Sequence, residues 1–244
     1  MIFKIFKSKP KLSELIPEGF VDIHSHILPS IDDGAKNINE SIKLIDAMKK
    51  LGFSKLIATP HIYPGLYDNN VNTIKNSYDD ITSVIKSKIE IDYGAEYFLD
   101  ASIIEDDKIN NLITIKDKFI LIEFNFISLY PGVFEILFEL QTIGYNIIIA
   151  HPERYLYLSK DNKKLNKLKQ IGCQFQINLL SITGYYGKEV LDFSKKLIKN
   201  NMINFCGSDI HNLSHIKYFD KKVKINVDEI SKIKAALENN LFFK

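Results

Sequence analysis

From residue 21 onward, short apolar runs rich in Ile, Val and Phe alternate with longer segments whose apolar residues recur at helical spacing. The runs read as strands over 21–26, 55–61, 89–97, 119–124, 145–152, 173–180 and 203–211, seven in all. Helices are predicted between and after them over 37–51, 70–87, 132–143, 161–171, 187–200 and 228–240. In the first, Ile42, Ile45 and Met48 fall on one face and Gly52 supplies the stop. Strand followed by helix, repeated, is the rhythm of parallel β/α units. No Pro-, Gly- or Ser-rich linker interrupts it, so one domain is predicted over 1–244, with 1–19 as an N-terminal extension. Seven or eight parallel strands in 244 residues suit a closed β/α barrel of the TIM type, whose usual size is ~250 residues. An open doubly wound sheet is the alternative.

Composition narrows the partners rather than the fold. The chain is 45% apolar and 25% charged, and 32 Lys plus Arg against 30 Asp plus Glu leave +2. That offers no strong field for nucleic acid or an anionic membrane, although a phosphorylated partner needs only a local positive site. Cys173 and Cys206 have neither the density of a disulfide scaffold nor the paired spacing of a zinc ribbon, which points to a reducing compartment. The N-terminus alternates lysine with short apolar runs and never builds the apolar core of a signal peptide. No window approaches the ~20 apolar residues of a membrane span, so a cytoplasmic protein is expected. Arg154 is the only arginine.

The ionisable residues gather where a β/α barrel builds its active site, at the C-terminal ends of the strands. In chain order these exits carry His24 and His26, His61, Glu96, Glu123, His151, then Asp209 with His211. Five of the six histidines are used in this way. Taken singly, a histidine at a strand end is usually structural; five of them with several acids on one rim imply a metal centre. Imidazole and carboxylate suit Zn, Mn or Fe, and a bridging carboxylate lets two ions sit ~3.5–4 Å apart. Strand alternation places Asp22, His24 and His26 on one face, so two imidazoles can address one ion.

The segments DIHSHILPSIDDG, ATPH, GAEYFLD, LIEF, AHPERY and GSDIHN, spread over residues 22–212, resemble the polymerase and histidinol phosphatase (PHP) superfamily. Within it they are similar to the bacterial manganese-dependent tyrosine-protein phosphatases associated with capsule and exopolysaccharide synthesis. The resemblance implies a distorted seven-stranded β/α barrel and three divalent metal ions, Mn first, with Fe or Zn as alternatives. It implies that His24, His26, Glu96 and Asp209 hold one ion and that Glu96 bridges to a second held by Glu123 and His151. The third is assigned to Asp33, His61 and His211. Asp33 matches the family ligand, and its neighbour Asp32 reads as part of a solvated Asp-Gly turn.

The activity so implied is hydrolysis of phosphotyrosine on a protein, such as the tail of a polysaccharide-assembly kinase. The expected chemistry is in-line attack by hydroxide bridging two ions, with no phosphoenzyme. Histidinol phosphatase, acting on a small cationic alcohol phosphate, is the alternative within the superfamily, and a catalytically dead scaffold is the alternative outside enzymology. Arg154 lies three residues past His151, where its planar fork can grip two phosphate oxygens; a surface ion pair with Glu153 is the bland reading. A second arginine that the family often has is replaced by Ile216, with His215 and Lys217 nearby. For leaving-group protonation, His211 or a metal-bound water is the candidate. Tyr155, with Tyr157, Tyr185 and Tyr186, is a candidate for stacking on the substrate ring, and Asn178 for a hydrogen bond in the pocket. Cys173 and Cys206 read as small core hydrophobes, and Ser25 and Ser208 as structural.

Overall fold

The computed structural model describes residues 9–86 and 88–244, with no description of the Asp106 and Asp107 side chains. Residues 1–8 of the expected extension, and residue 87 at the end of a predicted helix, lie outside the described residues. All six predicted helices form, as Ile38–Lys50, Val71–Val84, Val133–Thr142, Asn162–Gln170, Lys188–Lys199 and Val227–Asn239. The first is capped by Asn37, whose side chain accepts the Glu40 N–H, and Gly52 stops it with a φ of +100°.

The seven predicted strand segments all appear, but two are broken, giving nine strands among the described residues: β1 (Phe20–Ser25), β2 (Phe53–Ala58), β3 (His61–Ile62), β4 (Glu90–Tyr93), β5 (Glu96–Phe98), β6 (Phe119–Glu123), β7 (Asn146–Ala150), β8 (Gln174–Asn178) and β9 (Phe205–Gly207). Every ladder between them is parallel. They make two sheets, β1-β2-β4 and β3-β5-β6-β7-β8-β9, rather than the one continuous ring expected. The break has a local cause. Pro60 has no N–H to give to a ladder, and the residue opposite it is Ala95, next to Gly94. Register survives the interruption: Lys55 faces Glu90 before it and His61 faces Glu96 after it, the same offset of 35 residues. At the other edge a single parallel bridge, Ser25 to Ile210, links the first strand to the segment after the last. There the Asp209 N–H donates to the His24 carbonyl at 2.8 Å and the His26 N–H to the Ile210 carbonyl at 2.9 Å.

Two apolar clusters hold this frame. The smaller gathers strand residues Val21, Ile23, Ile57, Leu121, Ile148 and Phe205 around Phe243, the fully buried penultimate residue. The larger packs helix faces such as Leu44, Ile45, Leu137, Leu168, Leu197 and Ile233 against the strands. At ~25 cal/mol per Å² of apolar area removed from water, such burial is the main favourable term of the fold. Leu12 and Leu15 are buried in that same cluster, and Leu12 N–H bonds the Lys221 carbonyl. Residues 9–19 are thus part of the packed body rather than an appendage. No helix among the described residues is long and apolar enough to cross a membrane.

Candidate metal centre

Parallel strands all point their C-terminal ends the same way, so their exits deliver side chains to one rim. The eight residues predicted at strand exits converge there, and Asp33 joins them from the loop after β1. His24 Nε2 lies 3.2 Å from Glu96 Oε2 and 3.3 Å from Asp209 Oδ1; His26 Nε2 lies 3.3 and 3.4 Å from the same two oxygens. His61 Nδ1 stands 3.2 Å from Glu96 Oε2, and His151 Nε2 stands 3.0 Å from Glu96 Oε1 and 3.6 Å from Glu123 Oε1. His211 Nε2 and His61 Nε2 approach Asp33 Oδ1 at 3.3 and 3.5 Å. Glu96, wholly buried, touches four histidines from three different exits.

Four groups of these residues have donor atoms close enough to share an ion: His24, His26 and Glu96; His24, His151 and Asp209; His61, Glu96 and Glu123; and His26, Asp33, His61 and His211. The grouping overlaps the expected partition without reproducing it. His61 faces both the Glu96–Glu123 pair and Asp33, and His26 falls with the Asp33 group as well as with His24 and Glu96.

Three imidazoles have their outer nitrogen committed. His24 Nδ1 donates to Gln176 Oε1 (2.8 Å), His26 Nδ1 to Asp32 Oδ2 (2.8 Å) and His211 Nδ1 to the Asp209 carbonyl (2.9 Å). Each bond leaves a lone pair on Nε2, aimed inward. The His24 and His26 Nε2 atoms then face each other at 3.2 Å, with Glu96 Oε2 and Asp209 Oδ1 beside them. With both rings neutral these are four acceptors that repel, so the nest calls for a cation; accordingly, against the cost of burial, the neighbouring carboxylates raise His24 and His26 above the usual imidazole range. Glu96 Oε2 and His61 Nδ1 are buried without a hydrogen-bond partner, which fits the same conclusion. Glu123 is held well above the usual carboxylate range, first by burial and then by the charge of Glu96, so a nearby cation would be needed to ionise both. Among carboxylate and imidazole donors without thiolate, the donor chemistry suits divalent Mn, Fe or Zn.

The backbone is strained at two of these exits. His151 (φ +33°) and Asp209 (φ +51°) are non-glycine residues in left-handed conformations, as active sites often hold them. Two buried anchors keep them there. Glu153 Oε1 accepts the Asn178 N–H at 2.9 Å and the Ser181 hydroxyl at 2.6 Å, pinning the turn after β7; burial pushes this carboxyl up to about 7. Asp22 accepts from the Ser208 N–H and hydroxyl. It does not join His24 and His26, because the β1 register slips between Asp22 and Ser25.

Arg154 does not pair with Glu153: its Nη1 donates to Asp209 Oδ2 at 3.2 Å, at the edge of a cleft lined also by His61, His151, Tyr185, Tyr186 and His211. Three expectations are corrected. Tyr155 is fully buried, with its hydroxyl accepting the Phe124 N–H at 2.9 Å, and does not reach the cleft. Asn178 is buried too; its Nδ2 donates to Asp209 Oδ2 at 2.6 Å and its Oδ1 accepts from Gln176, so it orients a carboxylate instead of meeting substrate. Asp32 is not a solvated turn residue, since its side chain is 1% exposed and accepts from His26, the His61 N–H and the Gly34 N–H. Tyr157 bonds the Asn125 carbonyl, whereas Tyr185 and Tyr186 do line the cleft. Ser25 bonds the Ile57 carbonyl and both cysteines are buried. Sequence reading missed Gln176 as the His24 partner, although its two-residue spacing from Asn178 on one strand face was the signal. It missed Phe126 entirely.

Comparison with known proteins agrees with this geometry. The chain is 34% identical over 197 residues to the tyrosine-protein phosphatase YwqE of Bacillus subtilis, covering 79% of this chain and 78% of that one. It is 32% identical over 222 residues to the putative tyrosine-protein phosphatase CapC of Staphylococcus aureus, covering 86% of each. A crystal structure from work on YwqE and the Streptococcus pneumoniae CpsB, described as metal-dependent tyrosine phosphatases, matches with a TM-score of 0.75 and 32% identity over 82% of this chain and 84% of that one. Residues 20–229 match the family described as capsular polysaccharide synthesis, CpsB/CapC, and the chain belongs to that family.

Proposed function

We propose that this protein is a metal-dependent phosphotyrosine phosphatase whose substrate is a protein of polysaccharide assembly, such as the tyrosine-bearing tail of a kinase. The observation that carries the reading is the set of opposed acceptors, His24 Nε2, His26 Nε2, Glu96 Oε2 and Asp209 Oδ1, with the lone arginine bonded to the far oxygen of the same Asp209. The names of the CpsB/CapC relatives support tyrosine phosphatase over histidinol phosphatase. We read the two sheets, bridged at Ser25–Ile210, as one distorted seven-segment β/α barrel in a single domain.

Nine residues would hold three divalent ions: His24, His26, Asp33, His61, Glu96, Glu123, His151, Asp209 and His211. Bound ions of this kind supply charge neutralisation and activate water near neutral pH. The protein's own groups do the rest. Gln176, Asp32 and the Asp209 carbonyl fix three imidazole tautomers so that Nε2 faces inward. Asn178 and Arg154 occupy Asp209 Oδ2 and leave Oδ1 for the centre. The N–H groups of Arg154 not used by Asp209 face phosphoryl oxygens, where charge accumulates during transfer. With Nδ1 already donating, His211 serves as a ligand rather than a general acid, and a tyrosyl oxygen, being the conjugate base of a group of pKa ~10, departs without one.

The test is phosphate release from a phosphotyrosine peptide, a phosphoserine peptide and histidinol phosphate, each with added Mn and with chelator. Metal-dependent turnover of phosphotyrosine above the other two is expected. Preference for histidinol phosphate, or turnover indifferent to chelation, would refute the proposal.

A further inference from the structure

The guanidinium carbon of Arg154 lies 4.7 Å from the ring centroid of Phe126 and 4.8 Å from that of Tyr186. Topology explains the meeting. Phe126 follows β6, Arg154 follows β7 and Tyr186 follows β8, and these strands are consecutive neighbours in the six-stranded sheet. Tyr186 is largely covered, as expected of a ring that also closes the cleft wall. Phe126 is different: it is 45% exposed, belongs to neither apolar cluster, and lies over both Arg154 and the His151 ring (5.9 Å, 17° between planes). It also touches the edge of the core at the Tyr155 ring (5.6 Å, 47° between planes), yet it still lines the cleft.

We infer that Phe126 is a positioning residue for the phosphoryl group, holding Arg154 against Tyr186 so that its planar fork meets phosphate in one orientation. An arginine side chain has several rotatable bonds, and a fork left mobile loses most of the advantage of its geometry over a lysine. One nitrogen is tied to Asp209 Oδ2, and the guanidinium lies over two rings, which attract the cation through their quadrupoles. The N–H donors that Asp209 does not take are left for the cleft that Arg154 lines. The inference deepens the phosphatase reading and rests on it only for the kinetic arm of its test.

Because Arg154 is the only arginine in the chain, a ¹H–¹⁵N spectrum of the protein loaded with diamagnetic Zn contains one arginine side-chain Nε–H signal that needs no assignment. Two flanking rings shift it from the position of a free arginine side chain. Phe126→Ala should move it toward that position, and Phe126→Trp should restore the displacement. On a phosphotyrosine peptide, Phe126→Ala should lower kcat/KM about tenfold and weaken inhibition by inorganic phosphate comparably, with metal content unchanged. In an Arg154→Lys background the same substitution should change kcat/KM less than about twofold, because the residue it acts through is gone. An arginine signal unmoved by Phe126→Ala overturns the inference. So does an equal loss in the Arg154→Lys background, which would mean that Phe126 acts on the substrate or the fold instead. A wild-type protein without phosphotyrosine turnover would defeat the phosphatase reading, while the arginine signal would still decide the placement of Phe126.

Discussion

Replacing Asp32 by Asn tests the claim that this neighbour of a ligand governs the centre from outside. The change is isosteric and leaves every proposed ligand in place. In the wild type both carboxylate oxygens are used: Oδ2 accepts from His26 Nδ1 at 2.8 Å and the His61 N–H at 3.2 Å, while Oδ1 accepts the Gly34 N–H at 2.9 Å. An amide has one oxygen. If it faces His26, its NH2 opposes the Gly34 N–H; if it faces Gly34, the NH2 opposes His26 and drives that ring to the tautomer whose Nε2 carries the proton. The second arrangement removes an inward lone pair. A buried charge-assisted hydrogen bond is worth about 1.5–3 kcal/mol, which at ~1.4 kcal/mol per tenfold is about 10- to 150-fold, in line with the ~10- to 100-fold known for partners of metal-bound histidines. Asp32→Asn should therefore shift the midpoint of Mn activation upward by one to two orders of magnitude. Metal content after dialysis against a graded chelator buffer should fall in parallel, with circular dichroism unchanged. An Asp32→Asn protein with wild-type metal retention and an unshifted activation midpoint would refute the idea that Asp32 sets the His26 tautomer.

Glu96→Ala removes the carboxylate shared by four histidines, so turnover should vanish and metal content fall by more than one ion, read by elemental analysis beside circular dichroism. Arg154→Lys keeps the charge and loses the fork; a loss of about 2–4 kcal/mol, roughly thirty- to a thousandfold in kcat/KM, is expected with metals retained. Treatment with iodoacetamide should leave activity intact while chelation abolishes it, since Cys173 and Cys206 are buried and burial pushes the Cys173 thiol up to about 12. Gly34→Ala should fail to assemble the centre, because a Cβ there would sit 2.1 Å from the His26 carbonyl oxygen; a wild-type melting temperature and metal content would contradict that placement.

The sequence was sufficient for the strand-helix rhythm and for the set of residues that gather at the rim, because both depend on short-range regularities. Apolar runs of period two and helical faces report burial locally, and parallel strands exit at the same end whatever their lateral order. Hence His24, His26, His61, Glu96, Glu123, His151, Asp209 and His211 could be brought together from their positions after strands alone. Tertiary structure decided everything that depends on neighbours distant in the chain. The division into two sheets falls where Pro60, opposite Ala95, interrupts a ladder, which neither segment shows by itself. Asp32 and Asp33 are adjacent in sequence, yet one bonds the outer nitrogen of His26 and the other faces the inner nitrogens of His61 and His211, a choice made by the loop after β1. Tyr155 and Asn178 looked like pocket residues because they follow the right strands, but packing buries both and assigns them to backbone and carboxylate partners. Phe126 carries no signal in its own segment; its place over Arg154 exists only because β6, β7 and β8 lie side by side. Local pattern selects which residues reach the rim, and long-range packing selects which atom each of them presents.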